Sequence, residues 1–194
     1  MSPYNADAAV DLISIPARYR NKKFGDLLAT NPESVKAIST VRLYVDNFET
    51  ALERGASGFF AGGVGTGKTL LACMIVERVL KIGKRAKYTT AWGLIQDIRA
   101  AYRDKSLSIQ SQVSKYTSLD LLVVDEIGVQ NGTDDERVLL YQVIDGRYNN
   151  VKPTIIISNS KNPVADGFID LRTIDRLKEG GGFSITFNGE SYRK

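Results

Sequence analysis

The sequence predicts a three-layer α/β domain around a five-stranded, mainly parallel sheet. Three observations carry that prediction. From residue 58 onward, short strand-like runs alternate with helical stretches, the β-α-β order that gives a parallel sheet with helices on both faces. Two of the runs, "LLVVD" and "TIIIS", are continuously apolar rather than alternating, as strands covered on both faces must be. The first strand, "GFFAG", leads into a glycine-rich turn and then a helix, "GGVGTGKTLLACMI".

Residues 1–30 lack strong periodicity and form an N-terminal connector containing the basic and aromatic stretch "IPARYRNKKF". Residues 31–194 form the main domain, which opens on one helix, "NPESVKAISTVRLYVDNFETALERG". Asn31 suits its N-cap, Pro32 the first helical position, Glu33 the positive end of the helix dipole and Gly55 the stop. Ile38, Val41, Val45, Phe48 and Leu52 keep one apolar face. The strands that follow are "GFFAG", "RAKYTT", "LDLLVVD", "PTIIISN" and "FSITFN". Helices over 68–82, 91–104, about 134–148 and about 168–178 separate them. "EGGGF", ahead of the last strand, reads as a flexible hinge. The chain shows no internal repeat and no low-complexity tract.

Composition narrows the chemistry. With 43% hydrophobic and 25% charged residues among 194, the chain can bury a core of ordinary size. No apolar run approaches the ~20 residues of a membrane span, and the N-terminus has no basic region ahead of an apolar one. A lone cysteine, Cys73, excludes an intramolecular disulfide framework and suits a reducing cytoplasm. The absence of histidine removes imidazole catalysis and histidine-based metal sites. A net charge of +4 decides nothing alone, but it is unevenly spread. Between Arg78 and Lys105 stand Lys81, Lys84, Arg85, Lys87, Arg99 and Arg103 against only Asp97 and Asp104. That stretch is either a surface for phosphate backbones or a solvated face.

"GGVGTGKT" has the G-x-x-x-x-G-K-[ST] spacing in its strand–turn–helix context. Glycines let backbone N–H groups converge on phosphate oxygens, and the helix start adds its positive end. The expected nucleotide cradle is therefore Gly62, Gly63, Val64, Gly65, Thr66, Gly67, Lys68, Thr69 and Leu70. Lys68 is expected to reach the β- and γ-phosphates, and Thr69 to ligate Mg2+. At the end of "LDLLVVDE", Asp125 can hold hydrated Mg2+ while Glu126 orients or activates a water. That second acid favours an NTPase over a small-molecule kinase. Asn159 ends a strand that can lie between the other two, so it either positions the attacking water or is an ordinary turn residue. In "FIDLRTIDRLKEGG", Leu171, Ile174 and Leu177 share one helical face, and Arg172 and Arg176 point the other way. They are either a solvated face or an arginine finger for a neighbouring subunit.

This order of motifs resembles the AAA+ ATPases. "LLVVDEIGVQ", "RYNNVKPTIIISN", "DLRTIDRL", "FNGESYR" and "IPARYRNKKF" resemble more closely the DnaC/IstB family of helicase loaders and transposition ATPases. The resemblance covers residues 15–194. It implies ATP/ADP and Mg2+ as cofactors, with Lys68 and Thr69 as Walker A and Asp125 and Glu126 as Walker B. Asn159 matches sensor 1, Arg176 the finger acting in trans with Arg172 beside it, and Arg193 sensor 2. It also implies self-association into an ATP-bridged oligomer, single-stranded DNA along its inner face, and a replicative helicase or a transposase as client. The helix 91–104 matches the DNA-side element. Tyr102 and Arg103 stand on it, and Thr133 lies near another DNA contact. Tyr102 equally continues the apolar face of Leu94, Ile95 and Ile98, and the acids after Thr133 would repel phosphate. The family lacks the usual AAA+ lid, and few residues follow the last strand here, so no lid domain is expected. About 15 residues precede the shared region, fewer than the loaders' helicase-gripping domain needs. Either the sequence is trimmed, or it meets a helicase otherwise, or its client differs. The reading is a helicase-loader-type ATPase in DNA replication. The alternatives are a transposition helper on duplex DNA and an ATP-gated assembly switch with incidental turnover.

Overall fold

The computed structural model describes residues 14–27, 29, 31–128, 133–160, 162, 164, 166, 167, 169–189, 191 and 192. Five strands form one sheet: β1 (Gly58–Gly62), β2 (Ala86–Thr90), β3 (Leu121–Ile127), β4 (Thr154–Ser158) and β5 (Phe183–Phe187). Their order is β2-β3-β4-β1-β5, and every pairing is parallel. Among the described residues seven α-helices accompany them: α1 (Pro32–Asp46), α2 (Phe48–Arg54), α3 (Lys68–Lys81), α4 (Ala91–Arg103), α5 (Ile109–Thr117), α6 (Asp134–Asn149) and α7 (Leu171–Lys178).

The two faces of the sheet explain the unbroken apolar runs. Leu121 and Val123 of β3, with Ile155 and Ile157 of β4, belong to a core shared with α1, α2 and α3. Leu122, Val124 and Ile156 belong to a second core shared with α4, α5, α6 and α7. Each residue of the run is therefore buried, on alternate sides. Ile15, ahead of a short 3-10 turn at Ala17–Tyr19, is fully buried in the first core.

The structure departs from the sequence reading in four places. The first helix is two, because the Asn47 side chain donates to Leu43 O (2.9 Å) and offers the backbone an alternative to continuing. Asn31 does cap the first, accepting from Ser34 N at 2.8 Å, and Gly55 stops the second at φ 67°. Helix α5 lies in a serine-rich stretch where the sequence reading places no helix; Ser108 starts it by accepting from Ser111 N (3.0 Å). Helix α7 begins at Leu171, capped by Asp170, which accepts from Thr173 N at 2.7 Å. The expected hinge is instead a 3-10 turn over Glu179–Gly181. A Cβ on Gly180 would lie 2.0 Å from Arg54 O, and one on Gly182 would lie 1.8 Å from Leu177 O. Those glycines permit close backbone packing rather than looseness.

Arg147 ties the far end of the sheet together. It is fully buried in α6, donating to Thr154 Oγ1 (2.9 Å), Tyr116 O (2.6 Å), Leu119 O (2.9 Å) and Pro153 O. Burial pushes its guanidinium down to about 9, so it remains a cation at neutral pH.

Candidate nucleotide site

β1 delivers the glycine loop to the carboxyl end of the sheet, where parallel α/β proteins bind ligands. Two glycines there are dictated by their neighbours. At Gly62 (φ 140°) a Cβ would stand 2.2 Å from Phe187 O, and at Gly65 (φ 81°) it would stand 2.1 Å from Ser191 Oγ. Tyr192 N donates to Gly65 O at 3.0 Å, so the segment after β5 is fastened to the loop. Gly67 turns the chain into α3 at φ 94°. Thr66 Oγ1 donates to Gly63 O (2.8 Å). Lys68 is buried at the helix start, with Nζ donating to Gly62 O (2.8 Å) and Gly63 O. The ammonium thus sits inside the curl of the loop, where backbone N–H groups and the helix dipole favour an anion.

The acids arrive from β3. Asp125 is buried and its carboxylate is fully engaged. Its Oδ2 accepts from Thr69 Oγ1 (2.7 Å) and from the Tyr88 hydroxyl (2.9 Å), and its Oδ1 accepts from Glu126 N (2.7 Å). The β3–β4 register then slips between Val124 and Ile127. Glu126 occupies the slip with φ 59° and is exposed. A non-glycine residue in that region stores about 1–3 kcal/mol of strain and is expected where function needs the side chain aimed. Here the bulge turns a strand residue, which would otherwise enter the core, toward the mouth of the loop.

β4 lies between β1 and β3 as the sequence suggested, and Asn159 follows its last residue, exposed. Lys68, Thr69, Asp125, Glu126 and Asn159 consequently line one cleft of about 370 Å³. Tyr19, Leu27 and Ile38 are among its apolar lining. The Thr69 hydroxyl beside the Asp125 carboxylate is an all-oxygen pair, the donor type Mg2+ takes together with waters and phosphate oxygens. Among the described residues no group of three His, Cys, Asp or Glu could hold a metal alone. A metal here would need the ligand's own oxygens, which is how Mg2+ binds beside a phosphate loop.

Sequence reasoning missed Tyr88. Its ring is buried in β2, and burial, then the negative charge of Asp125, push its phenol far above the ordinary value. It therefore serves as a proton donor to Asp125 at any working pH. Nothing in "RAKYTT" marks that hydroxyl, because a tyrosine in a strand is common for packing alone. Behind the loop, Cys73 is buried, and burial and the charges of Asp125 and Glu77 push its thiol up.

The remaining expected residues fall elsewhere. Arg193 lies outside the described residues. Arg172 is exposed on α7. Arg176 does not point freely outward. Its guanidinium pairs with Asp145, donates to Tyr141 Oη (3.1 Å) and stacks 4.9 Å from the Tyr148 ring, all on α6. The reason is that α7 buries Thr173 and Leu177 while Leu171 is 71% exposed, so the inward face is rotated from the one expected. Tyr102 is 53% exposed, whereas Ala91, Leu94, Ile95 and Ile98 form the buried stripe of α4. The alternative that it continues the apolar face is thereby overturned. Its hydroxyl donates to Asp135 Oδ1 (3.2 Å), and Arg99 pairs with the same acid (2.8 Å). Thr133 caps α6, accepting from Glu136 N at 3.3 Å. Lys81, Lys84, Lys87 and Arg99 are all ion-paired within the chain, which breaks up the basic stretch. Arg103 and Lys105 make no ion pair among the described residues.

Known proteins are similar to this chain in sequence and fold. A family model described as IstB-like ATP binding protein matches residues 51–194. The replicative helicase loader DnaC of Escherichia coli is 30% identical over 90% of this chain and 70% of its own length. An uncharacterized protein, YdaV, of the same species is 31% identical over 90% of this chain and 69% of its own. The crystal structure of a DnaC helicase loader superposes with a TM-score of 0.76 at 25% identity, over 89% of this chain and all of that one. A replication initiator DnaA, solved with AMPPCP and single-stranded DNA, shares the fold with a TM-score of 0.72 at 20% identity, over 91% of this chain and 51% of that one. With its phosphate loop, its acidic strand end and these relatives, the chain belongs to the DnaC/IstB family of AAA+ ATPases.

Proposed function

We propose that the chain is a Mg2+-dependent ATPase of the helicase-loader type, assembling on single-stranded DNA and acting on a replicative helicase in the cytoplasm. The observation that carries this reading is the single cleft in which Lys68, Thr69, Asp125, Glu126 and Asn159 meet. In the proposed mechanism the loop N–H groups and Lys68 hold the triphosphate of ATP. Tyr19, Leu27 and Ile38 offer an apolar wall to its base. Thr69 and Asp125 would hold Mg2+, which when bound neutralises charge on the β- and γ-phosphates. Glu126, exposed beside them, accepts a proton from the water that attacks the γ-phosphorus, and Asn159 orients that water. ADP and phosphate leave as products. Arg176 is assigned to a neighbouring copy's γ-phosphate and Arg193 to its own.

Self-association has a surface to use. Val138, Tyr141 and Leu171 are exposed around a groove of about 750 Å³ between α6 and α7, next to Arg176. Exposed apolar groups clustered beside a catalytic arginine suit an interface between copies. For DNA, Tyr102 presents an exposed ring suited to stacking on a base, with Arg103 as a phosphate contact and Thr133 nearby. Residues 1–30 are assigned as a connector into the ATPase domain at 31–194.

The match to the IstB-like family model supports a second reading, a transposition helper that binds duplex DNA and a transposase. ATP turnover should require Mg2+ and respond to DNA. Tighter binding to single strands than to duplex in the presence of ATP supports the loader reading, and the reverse preference overturns it. Turnover indifferent to DNA would leave only an ATP-gated switch.

A further inference from the structure

The carboxylate of Asp125 has two side-chain donors, and only one of them belongs to the phosphate loop. Thr69 reaches Oδ2 from α3, at 2.7 Å. Tyr88 reaches the same oxygen at 2.9 Å, from the edge strand β2 on the opposite side of β3 from β4. Parallel pairing sets Tyr88 beside Val123, two positions before the pair Thr90 and Asp125. The length of the tyrosine side chain is what lets its hydroxyl reach forward to the acid.

Tyr88 is itself held. Its ring is 8% exposed within the core shared with α3, and its backbone N–H donates to Ser14 Oγ at 3.1 Å. That N–H lies on the outer edge of the sheet, where no strand among the described residues pairs it. The phenol is thus anchored at both ends and has little freedom to swing away from Asp125.

We propose that Tyr88 is a positioning residue for the metal site: its hydroxyl fixes the rotamer of Asp125 so that the carboxylate, together with Thr69, is ready for Mg2+·nucleotide. The inference rests on the reading of Thr69 and Asp125 as the Mg2+ site. The physical reason is how Oδ2 is tied to the fold. Thr69 would offer an oxygen lone pair to the metal while its hydroxyl proton stays on Oδ2, so that donor would follow the metal, whereas Tyr88 holds the same oxygen from a different strand. Oδ1 accepts from the N–H of Glu126. Without the phenol, the carboxylate keeps those two bonds but loses the one that ties it to β2, and its orientation toward a metal is less well fixed. Groups that orient metal-holding side chains in this way commonly change metal affinity by about 10–100-fold when removed.

Tyr88→Phe deletes the hydroxyl and keeps the ring. The experiment measures the affinity of a non-hydrolysable ATP analogue by calorimetry, in EDTA and across a Mg2+ titration, for the parent and the variant. The parent should bind more tightly as Mg2+ is added. In the variant, affinity in EDTA should match the parent, while the Mg2+ concentration giving half of the tightening should rise about 10-fold. The melting temperature of each ligand-free protein is read alongside. A merely structural role for the hydroxyl would lower the melting temperature and leave the Mg2+ midpoint unmoved, and that result overturns the proposal. An unchanged midpoint at an unchanged melting temperature overturns it as well, leaving the metal-site reading intact. A parent whose nucleotide affinity ignores Mg2+ overturns the metal-site reading, and this inference with it.

Discussion

Arg147 offers a test that separates the fold from the site. It lies at the amino end of the sheet, bonded beside Thr154 at the start of β4, whereas the nucleotide cleft opens beyond the other end of that strand. Arg147→Met keeps most of the aliphatic volume and removes every donor. Pro153 O retains a bond from Leu122 N (3.3 Å), and the Thr154 hydroxyl retains Lys152 O (3.5 Å). The loss therefore concentrates on Tyr116 O, in the last turn of α5 where helix carbonyls lack intrahelical partners, and on Leu119 O just beyond that helix. Two unsatisfied buried carbonyls cost about 2–6 kcal/mol together. Replacing a buried charge with an apolar group offsets about 1 kcal/mol or more of that. A net loss near 3 kcal/mol lowers the melting temperature of a domain this size by about 6–12 °C. Thermal unfolding followed by circular dichroism, paired with nucleotide affinity at a temperature where both proteins are folded, checks it. We predict a large fall in the melting temperature with affinity unchanged. A fall below about 2 °C would refute the accounting of buried carbonyls, and a matching loss of affinity would refute the separation of fold from site.

The other predictions concern the site. Lys68→Ala should abolish nucleotide binding while the protein still folds, at a lowered melting temperature because Gly62 O and Gly63 O lose their donor, and Glu126→Gln should bind normally but lose turnover by about 10²-fold or more; calorimetry and phosphate release read the two separately. Tyr102→Ala should weaken single-stranded DNA binding by about 5–100-fold, the worth of one stacked base, without a change in melting temperature because the ring is 53% exposed. Arg176→Ala should bind ATP yet fail to hydrolyse it. Mixing it with Glu126→Gln should restore some turnover at interfaces that join an intact arginine to an intact Glu126, and a mixture shown to co-assemble without recovery would remove the role in trans.

Much of this was legible in the sequence because the signals are local. The glycine spacing, the apolar runs and the caps at Asn31 and Gly55 each act within a few residues, and the structure places them where the pattern says. What escaped depends on partners far along the chain. The break at Asn47 turns on one side chain's choice between solvent and Leu43 O. The glycines at 180 and 182 look loose until Arg54 and Leu177 are brought against them. Periodicity gives the spacing of a helical face but not which face of α7 turns inward; a buried Thr173 in place of an exposed Leu171 decides that.

That rotation matters for the proposed chemistry. Arg176 is held by Asp145 and two tyrosine rings of α6, so in the proposed assembly it would be stored on its own subunit before meeting another. The ion pair is only about three-quarters shielded, with side chains 25% and 27% exposed. An interaction at that depth is worth far less than a fully buried one. A γ-phosphate presented by a neighbouring copy carries more negative charge than one carboxylate and offers several oxygens to the guanidinium. The same arginine can therefore be kept in order by Asp145 in the separate chain and drawn off by nucleotide in the assembled one. On this reading the step from binding to turnover is controlled by assembly, and Asp145 sets how readily it is taken.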